Sequence, residues 1–187
     1  MTRLALLFLT AFALAACTDG ATTPTSAVDR PSLAIVSSLD AANAPNGTHF
    51  QARTSATCAV TAGPTVTCSS YELAGVGNAN ASAALAAAYA AIVDCRNHGK
   101  QVVEVKAQAK SAAVSTGLLE PKNGRLLVPA LSTAGQVPSA SSFTATAVCP
   151  NGNWTKELRN GTITLTSFTY TLTFVGFSQP YIRITGP

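Results

Sequence analysis

Four Asn-Gly dipeptides divide this 187-residue sequence, and they begin at Asn46, Asn123, Asn151 and Asn160. Asn and Gly both tolerate the positive φ angles that a two-residue hairpin turn requires. Each dipeptide lies beside a segment that can be extended. The pattern therefore predicts short antiparallel strands joined by tight turns.

Alternating apolar and polar residues mark three candidate strands. Residues 103–110 alternate strictly, which predicts a strand that buries one side and exposes the other. Residues 143–147 alternate Phe or Ala with Thr, and residues 162–177 are rich in Thr, Ile, Leu, Phe and Tyr. We predict strands in both. In the first segment the apolar side, predicted to be buried, is Val103, Val105, Ala107 and Ala109, and the polar side is Glu104, Lys106, Gln108 and Lys110.

The segment Ser82–Val93 allows two interpretations. Its many alanines favour a helix, and Leu85, Tyr89 and Ile92 fall at helical spacing. A period of two also fits, because Leu85, Tyr89 and Val93 then share one side. The all-β character on both sides of the segment favours a long strand.

The N-terminus has the pattern of an export signal. Residues 1–16 contain Arg3, an apolar stretch and then small residues. The sequence Leu14-Ala15-Ala16-Cys17 resembles the lipobox of bacterial lipoproteins, in which the cysteine is lipidated and becomes the mature N-terminus. The alternative is an ordinary secretory signal cleaved after Ala15, which leaves Cys17 as a free thiol. We predict lipidation of Cys17 and therefore a cell-envelope protein anchored to a membrane, on its periplasmic or outer side.

Residues 17–31 follow as a predicted flexible tether, and residues 32–187 as one folded domain. The tether is rich in Thr, Ser, Ala, Gly and Pro and has no apolar periodicity. Across the whole chain 47% of residues are apolar and 11% are charged, which excludes overall disorder. The net charge of +4 is too small for a dedicated nucleic-acid surface.

Four cysteines remain for the domain once Cys17 is assigned to lipid. Cys58 and Cys68 lie symmetrically about Gly63, which predicts a disulfide across a hairpin. Cys95 and Cys149 are then left to form a second, long-range disulfide. A metal site is the alternative, but no C-x₂-C pair occurs and neither histidine has suitable spacing.

Three segments resemble a pattern found in a group of small exported bacterial proteins. These are Ala74–Asn78, Asp94–Gly99 and Cys149–Thr155, and the likeness spans about residues 71–174. The resemblance implies an immunoglobulin-like antiparallel β-sandwich with a bridge from Cys95 to Cys149. Lys100 replaces a glycine of the pattern. No activity is associated with the group, so the resemblance implies a fold and a compartment but no chemistry.

A partial dinucleotide-binding motif begins at Gly75. Gly75 and Gly77 are followed by Asp94, nineteen residues after Gly75, as in the fingerprint of nicotinamide enzymes. The third glycine is replaced by Asn80, and no alternation of strands and helices follows. We therefore predict a turn that needs glycine for positive φ, and no cofactor.

The sequence shows no pattern of a hydrolase. It has neither a G-x-S-x-G nor an H-E-x-x-H motif, and its two histidines are His49 and His98. His98 lies in a polar segment and is predicted to be an exposed turn residue. Four carboxylates are candidates for a pair formed only by the fold, Glu72, Asp94, Glu104 and Glu157. We predict no catalytic residues and no enzyme.

Trp154, the single tryptophan, lies five residues after Cys149. It is either a core indole packed on the disulfide, which we favour, or an exposed platform for a sugar, with Tyr170 and Tyr181 beside it. The sequence therefore predicts a non-enzymatic structural or interaction domain at a membrane surface, with an envelope protein or a glycan as partner. The alternative is a carbohydrate-binding module.

Overall fold

The computed structural model describes residues 35–61 and 63–187. The predicted signal peptide, Cys17 and the tether up to residue 31 lie outside the described residues. The strands of the described part are β1 Val36–Leu39, β2 His49–Phe50, β3 Cys58–Thr61, β4 Thr65–Cys68, β5 Tyr71–Ala74, β6 Ala81–Arg96, β7 Val102–Leu119, β8 Arg125–Val128, β9 Leu131–Ser132, β10 Thr155–Phe174 and β11 Ile182–Gly186. A 3₁₀ turn at Ala41–Asn43 and one helix, α1 at Ala140–Thr146, complete the elements.

The strands form three sheets with antiparallel pairing throughout. The large sheet has five strands in the order β1-β11-β10-β6-β7. Two small sheets have the orders β2-β5-β8 and β3-β4-β9. The predicted all-β class is therefore confirmed, and the immunoglobulin-like arrangement stays a prediction.

The ambiguous segment Ser82–Val93 lies within strand β6, as predicted from its setting. Leu85 and Tyr89 are fully buried on one side, whereas Ala84 and Ala86 are exposed on the other. β6 pairs with β10 on one side and with β7 on the other. Because two long neighbours satisfy its backbone groups, tertiary pairing overrides the helix propensity of alanine.

Strand β7 shows the opposite orientation to the one predicted. Val103 and Val105 are 44% and 45% exposed, and the polar residues between 104 and 110 are half-buried. The register explains this, since Glu104 lies opposite Cys95 and Lys110 lies opposite Tyr89, both on the core side of β6. The alternation was interpreted correctly as a strand, but the buried side was wrong.

Helix α1 replaces the strand predicted around Phe143. The Ser139 side chain accepts a hydrogen bond from the backbone N–H of Ser142 and so caps the N-terminus. The Thr146 hydroxyl donates to the carbonyl of Phe143, 3.1 Å away, within the last turn. Alternation over only five residues does not distinguish a strand from a short helix. In the helix that forms, Phe143 is the one residue of α1 that is buried.

The Asn-Gly dipeptides adopt turns of different kinds. Asn123 and Gly124 have φ angles of 51° and 73° and form a two-residue hairpin turn between Lys122 and Arg125. Asn160 and Gly161 also have positive φ angles, 56° and 63°, but they lie inside the single strand β10. There they form a bulge, so the hairpin predicted at this position is wrong.

The core lies between the inner face of the large sheet and the two small sheets. Fully buried side chains of β6 and β10 form one cluster with side chains of β4, β5, β8 and α1. Its largest members are Tyr89, Tyr170, Phe143, Phe168, Phe174, Leu73, Leu85 and Leu126. The other face of the large sheet, the outer face, carries small residues such as Ala84 and Ala86 and the exposed Val103 and Val105.

Candidate functional site

A group of four charged side chains lies at one end of the outer face. Asp94 is 3% exposed although it projects from the outer side of β6. Arg159 donates to its Oδ1 through Nε at 3.1 Å and through Nη2 at 2.7 Å. Arg96 Nη2 lies 3.5 Å from Oδ2 of the same carboxylate. Two guanidinium groups thus compensate one buried carboxylate.

Glu157 extends this group toward solvent. It lies opposite Asp94 in the register of β10 and β6, and its Oε2 is 2.9 Å from Nε of Arg96. The Arg96 Nη1 group also donates to the carbonyl of Lys100 in the turn that leads to β7. The group contains two arginines and two carboxylates, so its formal net charge is zero.

The bulge in β10 forms a wall beside this group. The register of β10 with β6 shifts between Leu158 and Ile163, so residues 159–162 leave the regular pairing. A cavity of about 370 Å³ lies beside the bulge. Its apolar lining includes Ala90, Ile92 and Ala107, and its polar lining includes Arg159 and Thr164. The cavity is a shallow apolar notch with a polar rim.

Both carboxylates of the charged group form ion pairs with arginines. Of the other candidate carboxylates, Glu104 pairs with Lys106 and Glu72 pairs with Arg125. The structure therefore brings Asp94 and Glu157 together and leaves the other two apart in separate ion pairs.

Both disulfides join the cysteines that the sequence pairs. Cys58 bonds to Cys68 across the hairpin of β3 and β4, where Val60 also lies opposite Val66. Cys95 at the end of β6 bonds to Cys149, which lies between α1 and β10. Disulfides persist in oxidising compartments, so these pairs indicate an extracellular or periplasmic environment.

Trp154 does not have the position favoured from the sequence. Its side chain is half-buried, and the residue is not part of the buried core. It ends a turn in which its backbone N–H donates to the carbonyl of Asn151, 3.1 Å away. Tyr170 and Tyr181 are buried, so the three aromatic residues form no exposed platform. The prediction of a core indole was therefore wrong, and the buried aromatic side chain nearest to it along the chain is Phe143 on α1.

The histidines and glycines considered in the sequence analysis lie in turns and at the start of β2. His98 is exposed in the turn between β6 and β7, as predicted, and Nδ1 of His49 lies 2.8 Å from the carbonyl of Gly47. Gly75 and Gly77 have positive φ, which agrees with the predicted glycine turn.

Within residues 35–61 and 63–187, no group of three His, Cys, Asp or Glu side chains is placed to hold a metal ion. No helix in the same part of the chain is long and apolar enough to cross a membrane.

No sequence pattern indicates the pairing of Asp94 with Arg159. The two residues are 65 positions apart, and only the register of β6 with β10 brings them together. The exposed valines of β7 were also missed, because alternation alone does not say which side faces the core. The chain matches no protein-family model, no curated protein and no solved structure.

Proposed function

We propose that this chain is an exported lipoprotein whose folded domain is a non-catalytic interaction module held at a membrane surface. One observation carries the proposal: four of the five cysteines in the sequence, all of them in the domain, are used in disulfides, and Cys17 is the one that remains. Cys17 also stands at the position that the lipobox pattern assigns to the lipid-bearing residue. Cysteine pairing and the N-terminal pattern therefore support the same anchor.

An interaction role is supported by the outer face of the large sheet. Ile92 and Val105, which belong to adjacent strands, are 41% and 45% exposed there. The neighbouring positions of β6 and β10 are mainly Ala and Thr, which leave a smooth surface. Exposed apolar patches with polar borders are typical of binding surfaces.

Lipid attachment is tested by growth with a labelled fatty acid. We expect label on the wild-type protein and none on a Cys17→Ser variant, with loss of membrane association in the variant. A Cys58→Ser, Cys68→Ser double variant is the matched control, because it removes two other cysteines but keeps Cys17. Absence of label from the wild type, or label that persists without Cys17, contradicts the anchor.

A small-ligand role is the second candidate and is supported by the notch beside Arg159. A polar rim over an apolar floor of Ala90 and Ile92 suits a sugar, which presents hydroxyls and an apolar ring face. Calorimetric titration with a panel of oligosaccharides tests it. Binding that an Arg159→Ala variant loses, while an Arg183→Ala variant keeps it, supports this role, and absence of binding across the panel contradicts it.

A further inference from the structure

The free edge of β7 is a long unpaired strand edge. β7 contains 18 residues and pairs with β6 on one side. No other strand of the described residues pairs with its second side. The opposite edge of the sheet is β1, which has four residues. Unpaired N–H and C=O groups along an edge are a template for another strand, and proteins usually keep such edges short.

We propose that this edge binds the β7 edge of a second copy of the chain, in antiparallel orientation about a two-fold axis at Ala107. The inference deepens the proposed interaction role and rests on it, because it names the partner. The two-fold axis is perpendicular to the sheet, so both outer faces lie on the same side. Two five-stranded sheets then form one continuous sheet of ten strands.

Charge complementarity selects this register. Between Glu104 and Lys110, β7 pairs with β6 without a shift, so its side chains alternate regularly. A two-fold axis at Ala107 places Glu104 opposite the partner subunit's Lys110, and it places Lys106 opposite the partner subunit's Gln108. Two equivalent Glu–Lys pairs result, and opposite charges across antiparallel strands are favourable.

The neighbouring registers are less favourable. An axis at Lys106 places that lysine opposite itself, and an axis at Gln108 places Lys106 opposite the partner subunit's Lys110. An axis at Val105 pairs Glu104 with the partner subunit's Lys106, but those two residues already form an ion pair within one copy. That register also extends the pairing through Val103, where the register of β7 with β6 shifts. Repulsion between like charges thus disfavours the axes at Lys106 and Gln108, and the irregular end of the strand disfavours the axis at Val105. The axis at Ala107 avoids both.

Glu104 has an unused acceptor on this edge. Its Oε1 pairs with Lys106, whereas its Oε2 is shielded from solvent and has no hydrogen-bond partner among the described residues. A carboxylate oxygen without a donor is costly when it is shielded. In its own chain the Nζ of Lys110 lies 5.8 Å from the centre of the Phe143 ring, and the proposed register brings this lysine opposite Glu104 of the partner subunit. The partner subunit's Lys110 therefore supplies a cation next to this carboxylate.

The outer face also gains from the pairing. Val105, now 45% exposed, lies beside the partner subunit's Ala109, and Ala107 lies beside the partner subunit's Ala107. Directly opposite residues on one face of an antiparallel pair have Cβ atoms about 4.5–5.5 Å apart. The contact therefore removes apolar surface from water while the backbone groups of the edge find partners.

Disulfide cross-linking of the full chain in its membranes tests the register. We expect Ala107→Cys to form a covalent dimer on mild oxidation, because the two introduced thiols lie directly opposite each other. Ala109→Cys is the matched control: its two thiols are separated by four residues along the strands, about 13 Å, and do not bond. Non-reducing electrophoresis with peptide mapping should show several-fold more dimer for Ala107→Cys.

Charge reversal tests the ion pairs in the same assay. Glu104→Lys added to Ala107→Cys should lower the dimer yield several-fold, and further addition of Lys110→Glu should restore it. Recovery reports the contact between copies, because the introduced lysine at position 104 still faces Lys106 within its own chain. Equal yields for Ala107→Cys and Ala109→Cys, or failure of the second reversal to restore dimer, overturn the proposal.

Fatty-acid label on the same samples separates the two proposals. If the protein carries label but forms no Ala107-specific dimer, the lipid anchor is supported and the pairing of β7 edges is overturned. The Ala107-specific dimer without label retains the pairing and overturns the anchor.

Discussion

The hydroxyl groups of Tyr71 and Tyr170 lie 2.8 Å apart in the core and form a hydrogen bond that joins a small sheet to the large one. Tyr71 belongs to β5 and Tyr170 to β10. Both rings are buried, so each hydroxyl has the other as its hydrogen-bond partner in place of water. This contact is a polar link between sheets that otherwise meet through apolar side chains.

Loss of both hydroxyls should cost less than the sum of the two single losses. Tyr71→Phe or Tyr170→Phe leaves the other hydroxyl buried without a partner, which should lower the free energy of unfolding by about 1–3 kcal/mol. The double variant leaves no buried hydroxyl without a partner. Its decrease in the free energy of unfolding should therefore be smaller than the sum of the two single decreases. Urea unfolding of the four proteins gives this difference directly.

Tyr89→Phe is the matched control for these variants. The Tyr89 hydroxyl is buried and has no hydrogen-bond partner among the described residues. Its removal should leave the free energy of unfolding unchanged or raise it. A loss as large as that of Tyr71→Phe would contradict this interpretation of buried hydroxyls.

Alkaline pH should destabilise the fold through the same tyrosines. Burial raises the pKa of Tyr71, Tyr170 and Tyr181 above the ordinary value of 10.0, and at Tyr71 the neighbouring Tyr170 adds to the effect. Above about pH 10 the unfolded chain loses these protons while the folded chain keeps them. The contribution of these tyrosines to the free energy of unfolding should therefore be constant below this pH and fall as the pH rises further, by up to about 1.4 kcal/mol per pH unit for each tyrosine.

Urea unfolding between pH 8 and pH 11 measures this dependence. The Tyr71→Phe variant should show a shallower fall, because one of the retained protons is absent. An equal slope in the variant and the wild type would show that other groups cause the alkaline loss.

Local sequence patterns predicted both disulfides and the strands β7 and β10, for identifiable reasons. Cys58 and Cys68 lie opposite each other because a short hairpin leaves little choice of register. The assignment of β6 depended on the strands around it, since its own alanines favour a helix. Where two long strands pair with such a segment, the context is the better guide.

Sequence patterns did not predict the charged group of the outer face. Asp94 and Arg159 meet only because β6 and β10 pair in one register, and that register includes a bulge at residues 159–162. The Asn160-Gly161 pair predicted a turn but not its setting inside a strand. The buried side of β7 was likewise fixed by the core side of β6, which local alternation does not reveal.

Asp94→Ala should destabilise the domain more than removal of its neighbour Glu157. Asp94 is buried and holds Arg159 and Arg96, and hydrogen bonds to a charged group contribute about 1.5–3 kcal/mol. Both arginines keep access to water, with side chains 41% and 31% exposed, so they are solvated when the carboxylate is lost. We expect a decrease of about 2 kcal/mol in the free energy of unfolding.

Glu157→Ala is the matched control for Asp94→Ala. The Glu157 side chain is 60% exposed and pairs with Arg96 at the surface, where ion pairs contribute about 0–1 kcal/mol. Chemical denaturation of the two variants should separate them clearly. Equal losses would show that the buried position of Asp94 has no special weight.

Gly75→Ala should be the more harmful of two substitutions in one glycine turn. Gly75 and Gly77 have φ angles of 73° and 58°, so a side chain at either position is strained by about 1–2 kcal/mol. At Gly77 an added Cβ meets nothing within 4 Å, and this strain is the whole cost. At Gly75 the added Cβ would lie 2.1 Å from the carbonyl oxygen of Gly47, which belongs to the backbone of another loop. Because that loop leads directly into β2, which pairs with β5, it has little freedom to move away.

The overlap at Gly75 should add about 1–3 kcal/mol to the backbone strain. We therefore expect Gly77→Ala to lower the free energy of unfolding by about 1–2 kcal/mol and Gly75→Ala by about 2–5 kcal/mol. Thermal and urea unfolding of the two variants under identical conditions measure the difference. If the two losses were equal, the close approach of Gly75 to Gly47 would contribute nothing, and positive φ alone would account for both glycines.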